Sequence, residues 1–192
     1  MEKGKGMKTW SKTILSVYKY LEALSKSLDN LILKKSVNSM FYYNGRGNTT
    51  YDLANEIILL TERRVNLINL KVIVENALDK IPLNERKLLI LFFVDNVRTD
   101  KIAELMGYCD RTFFRKKNEA IESFSKAVVK NGITKERLNE MFGKEKWLMD
   151  LYKKNTATDS IRALNPSDCN YGFLKRVIKE LSNVSINSGY LC

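Results

Sequence analysis

Residues 100–124 read DKIAELMGYCDRTFFRKKNEAIESF. Apolar positions recur at gaps of three and four on both sides of Gly107, which predicts a short helix, a turn and a longer helix. Thr99 is expected to cap the first helix, with Ile102, Ala103 and Leu105 facing inward, and Gly107 suits a left-handed turn. Arg111, Arg115, Lys116 and Lys117 then fall within two turns, with no acidic residue between positions 111 and 118. A helix N-terminus already carries partial positive charge, so cations gathered there are unfavourable unless an anionic partner stands opposite.

Outward from this stretch the helical period continues. Upstream, Pro82 disfavours a helical Ile81 and suits the start of an apolar helix over LNERKLLILFFVDN. Downstream, Asn131-Gly132 is a stop signal, so helices are expected near 83–95, 99–106 and 110–130. Thr134 is placed to cap KERLNEMF, with Leu138, Met141 and Phe142 on one side, and EKWLMDLYKK reads as another helix. The stretch from about 155 to 170 reads as a linker, YGFLKRVIKELSNV as a last helix, and SINSGYLC as a fraying end.

On the N-terminal side, residues 51–80 carry Leu53, Ile57, Leu60, Leu67, Leu70, Val74 and Leu78 without Gly or Pro, which predicts one long helix, with a break near 61–64 left open. YYNGRGNTTYD, residues 42–52, is a loop by its Gly and Asn content, and Thr49 or Thr50 can cap this long helix. Trp10, Ile14, Val17, Leu21, Leu24, Leu28 and Leu31 are spaced four, three, four, three, four, three, an a/d heptad seam. Such a seam serves either as a core helix of its own domain or as a zipper to a second copy through residues 10–31; the lysines beside it also suit a helix lying on an anionic membrane. The whole is read as all-α, a multi-helix bundle, in three segments: 1–48, an amphipathic helix and loop; 49–132, a helical domain; and 133–192, a helical extension.

Of the 192 residues, 33 are Lys or Arg and 22 Asp or Glu, a formal net charge of +11 that favours nucleic acid as partner. No apolar run approaches the roughly 20 residues of a bilayer span, and no signal peptide is visible, so a cytoplasmic protein without a membrane partner is expected. Cys109, Cys169 and Cys192 are odd in number and far apart, which fits reduced thiols better than disulfides or a zinc site. The chain has no histidine, and no phosphate loop, nucleophile elbow or acidic metal constellation, so neither an enzyme nor a cofactor is expected.

The middle of the chain resembles region 4 of the sigma-70 family of transcription initiation factors. The matching residues are Pro82-Leu83 with Glu85-Arg86, then Ile102-Ala103-Glu104-Leu105-Met106-Gly107, Thr112-Phe113, Ala120 and Phe124. Three residues depart from the family pattern: Cys109 where Ser or Thr is usual, which passes the cap to Asp110; Phe114 where a polar residue points outward; and Lys117 where an apolar core residue is usual. Nothing upstream looks like region 2, so small phage and Firmicute regulators of the ArpU type are the better likeness than a complete sigma factor.

The resemblance implies a helix-turn-helix in which the helix 110–130 enters the major groove of double-stranded DNA. Arg111, Thr112, Arg115, Lys116 and Asn118 are then the base readers, and Arg98 and Lys117 the phosphate contacts. It also implies contact with RNA polymerase. The alternative is a non-catalytic adaptor that keeps the helix-turn-helix shape, binds polymerase or a sigma factor through Phe113 and Phe114, and does not read DNA.

Overall fold

A computed structural model describes residues 3–39, 50–158 and 171–182. The chain is all-α, and the described residues include no strand. Its helices are α1 (Lys3–Ser39), α2 (Thr50–Leu78), α3 (Leu83–Leu89), α4 (Thr99–Met106), α5 (Asp110–Lys130), α6 (Lys135–Phe142), α7 (Lys146–Thr158) and α8 (Tyr171–Ser182). The expected loop at 42–49, the linker beyond 158, the terminal SINSGYLC, Cys169 and Cys192 lie outside the described residues.

The chain gathers into two compact units, one of residues 1–19 and 70–170, the other of 20–69 and 171–192. This differs from a division into three consecutive segments. The reason is that α1 and α2 are each long enough to supply residues to both units, which no shift of composition along the chain marks.

In the second unit α1 and α2 run antiparallel, tied by the ion pairs Lys35–Glu56 and Asp29–Arg64. Leu21, Leu24 and Leu28 of α1, Leu60 and Leu67 of α2, and Phe173, Val177 and Leu181 of α8 form its core. The α2 helix is unbroken through 61–64.

In the first unit the start of α1 is an interior element. Trp10, Ile14 and Val17 are fully buried, and the Trp10 ring lies 4.8 Å from that of Tyr152 on α7. Its indole N–H donates to Asn139 on α6 at 3.0 Å, and Asn155 Nδ2 donates to the Thr13 hydroxyl at 3.0 Å. Buried Ser11 and Thr13 donate to carbonyls one turn back, which keeps their hydroxyls paired. Six of the seven residues of the 10–31 seam are buried within their own chain, three in each unit, which favours the core-helix reading of that seam over the zipper.

The helices expected near 83–95, 99–106 and 110–130 occupy 83–94, 99–106 and 110–130. Pro82 holds the cap position of α3 with φ of −55°, which its ring fixes, and an extended ψ of 145°. At Ile90–Val94 the helix widens to a π-helical turn, closed by the Asp95 N–H on the Ile90 carbonyl at 3.0 Å. The neighbours Phe92 and Phe93 on this turn are both buried, and Asn96, with φ of 57°, follows it. Both α3 and α4 pack on α5.

Candidate nucleic-acid interface

The turn between α4 and α5 is built from backbone hydrogen bonds. Gly107 has φ of 67°, its N–H donates to the Glu104 carbonyl at 3.1 Å, and the Tyr108 N–H donates to the Ala103 carbonyl at 2.8 Å. That is the paired Schellman closure, and a residue without a Cβ enters the left-handed region at least cost. The far end of α5 closes the same way, with Gly132 at φ 78° and buried Ile133 donating to Val128.

Three local expectations are corrected. Thr99 is the first helical residue of α4, and Arg98 holds the cap position with extended backbone and no side-chain cap hydrogen bond. Asp110 does not take the cap of α5: Cys109 does, extended at ψ 158°, its sulfur 3.2 Å from the Thr112 hydroxyl. Leu105 is 65% exposed, because the buried arc of α4 centres between Ile102 and Ala103, and at about 100° per residue Met106 enters it while Leu105 leaves it.

On α5 the buried positions are Phe113, Lys117, Ala120, Ile121, Phe124, Ser125, Ala127 and Val128, one face of the helix. The opposite stripe carries Arg111, Arg115 and Asn118, all exposed at i, i+4 and i+7, with exposed Phe114 alongside. Thr112 and Lys116 sit on its flank, half-buried. Glu119 reaches back to this group: it accepts from Lys116 at 2.9 Å and lies 3.9 Å from Arg115. The Lys116 hydrogen bond holds the Glu119 carboxyl below its ordinary pKa. Pairs this exposed are screened by solvent, so they restrain the cations little and yield readily to a phosphate.

Arg98, outside α5, is exposed and pairs with Asp100 at 2.9 Å. Lys117 is not on the basic face. It is buried, with its ammonium 4.5 Å from the centre of the Phe92 ring, 5.0 Å from that of Phe114 and 5.8 Å from that of Phe113. The phosphate contact expected of Lys117 is corrected by this placement, since its side chain occupies the core position that the α5 period assigns to residue 117.

Sequence reasoning missed two cations beside α5. Lys12 of α1 lies close enough to Lys117 to oppose its charge. Lys8 adds to the depression of the Glu122 pKa, which the Lys126 hydrogen bond chiefly causes. Both lysines were visible as part of the α1 lysine row, but their proximity to α5 is a product of tertiary packing.

The described residues hold no cluster of three or more His, Cys, Asp or Glu side chains that could bind a metal ion, and no helix among them is long and apolar enough to cross a membrane. No protein-family model, curated protein or solved structure matches the chain.

Proposed function

We propose that the chain is a DNA-binding transcriptional regulator whose α3–α5 unit is a helix-turn-helix of the sigma-70 region 4 type, with α5 the helix that enters the major groove. The observation that carries the reading is the exposed stripe Arg111, Arg115 and Asn118 in the first half of α5, directly after a tight glycine turn. Arg115 is the residue to fork onto guanine O6 and N7, an interaction worth about 1–3 kcal/mol of discrimination. Arg111, Thr112, Lys116 and Asn118 complete the readers, and Arg98 serves a phosphate.

The test is retention of sheared host DNA by the purified protein, with sequencing of the retained fragments and a comparison with Arg115→Ala/Lys116→Ala. Enrichment of a recurring short site, lost in the double variant, supports the reading. Retention without a preferred sequence, unchanged in the variant, overturns it.

A second reading rests on a different observation. Leu105 and Phe114 are 65% and 48% exposed on α4 and α5, two large apolar groups that a purely phosphate- and base-binding surface does not need. They suit a non-catalytic adaptor that binds RNA polymerase or a sigma factor. Replacement of both by Ser removes polymerase binding on that reading, on which the unsubstituted protein enriches no preferred DNA site.

A further inference from the structure

The second unit exposes an apolar seam that nothing in the DNA reading uses. Along α2, Tyr51, Ala54, Ile58, Thr61, Val65 and Ile68 are spaced three, four, three, four, three, and all six are exposed. Between residues 51 and 69 the exposed positions are these six with Leu59, Glu62 and Asn69, so one of nine is charged. On α8 of the same unit the exposed described positions are Lys175, Arg176, Lys179 and Glu180, all charged. The solvent-facing side of α8 is thus charged throughout; the outer face of α2 is not.

We propose that this seam pairs with the same seam of a second copy of the chain. The alternation of three and four is that of two helices wound side by side, so the occupant is a helix. The charge balance selects which helix. Most surfaces of a chain with net charge +11 repel their own copies, whereas this one has no cation among its exposed positions and offers nothing to a phosphate or an anionic lipid headgroup. The seam is also self-complementary: laid antiparallel, Ile58 meets Thr61 of the second copy and Val65 meets Ala54, a larger side chain against a smaller one, while at each end Tyr51 meets Ile68, ring against aliphatic side chain. In that register Glu62 falls beside Asn55 rather than beside its own copy. The contact is isologous, as a two-fold dimer requires. At about 26 Å it is a short seam, so association is reversible and depends on concentration.

The proposal does not rest on DNA binding, and its test uses none. Sedimentation equilibrium of the full chain over about 1 to 100 micromolar should show the mass rise from the 22.2 kDa monomer towards twice that value. Ile58→Lys and, separately, Val65→Lys should stay monomeric with unchanged helicity, while Val129→Lys, at an exposed apolar site on α5, should dimerise as the wild type does. A wild type that stays monomeric overturns the proposal, including when the same face is found to bind neutral vesicles or another protein. Dimerisation that survives both α2 substitutions overturns it equally, because the interface then lies elsewhere.

Discussion

The ammonium of Lys117 on α5 stands 4.5 Å from the centre of the ring of Phe92, on the π-helical turn that follows α3. Burial, with the like charge of Lys12 adding to it, lowers its pKa from 10.5 to about 8. Attraction to the faces of three phenyl rings offsets part of the desolvation cost, at about 0.5–2 kcal/mol for a desolvated cation–π contact.

That shift sets the sign of the pH dependence. Between pH 8 and 10.5 the unfolded chain binds this proton and the folded chain does not, so stability rises with pH across that window; below pH 8 both states carry it and the penalty is constant. Replacing Lys117 by Met removes the penalty, and the variant should be more stable at neutral pH by up to about 2–3 kcal/mol. Urea titrations at pH 7 and pH 10 should show the difference between variant and wild type shrinking at the higher pH. A variant less stable than wild type at pH 7 would mean that the aromatic contacts outweigh burial.

If α5 reads DNA as proposed, salt separates the roles of these residues. Arg98→Ala should then weaken binding uniformly across sequences and reduce the slope of log affinity against log salt by about one. Arg115→Ala should instead relax preference at one base pair by about 1–3 kcal/mol, read by competition between the best site and its single-base variants. Equal effects of both substitutions on sequence preference would contradict the division.

Legibility in this chain tracked the range of the interaction. The entry at Pro82, the glycine closures at 107 and 132, the Thr134 cap and the i, i+4, i+7 stripe of α5 are set by residues a few positions apart, and all could be read along the chain. The π-helical turn could not, because no local pattern in ILFFV distinguishes it from ordinary helix. Lys117 was visible as an anomaly, yet only its three ring neighbours explain how a cation occupies a core position. The heptad signal of α1 left a core helix and a zipper open, and only burial favours the first; the weaker seam of α2 went unread because Leu60, Leu67 and Leu70 on its other face already accounted for a core helix.

Gly107 is a clean test of the α4–α5 turn. Nothing lies within 4 Å of where a Cβ would sit, so Gly107→Ala meets no clash and bears only the left-handed backbone cost of about 1–2 kcal/mol. Gly107→Asn should lose less, since Asn tolerates that region. Midpoints of urea unfolding in the order Gly, Asn, Ala check this, and equal loss for both would show that something other than backbone conformation is at stake.

Trp10 decides what the first heptads of α1 are for. Its ring is fully buried against Tyr152 and its N–H is held by Asn139, so Trp10→Ala should cost about 3–5 kcal/mol. Asn139→Ala should cost under about 1 kcal/mol, because Asn139 is exposed and water can replace it at the indole. If residues 10–31 were instead a zipper between copies, Trp10→Ala would lower the sedimentation mass at high concentration and spare the stability of the monomer. A large loss of stability in the dilute monomer, with the concentration dependence of the mass still answering to Ile58 and Val65, assigns the α1 seam to the core and the α2 seam to the dimer.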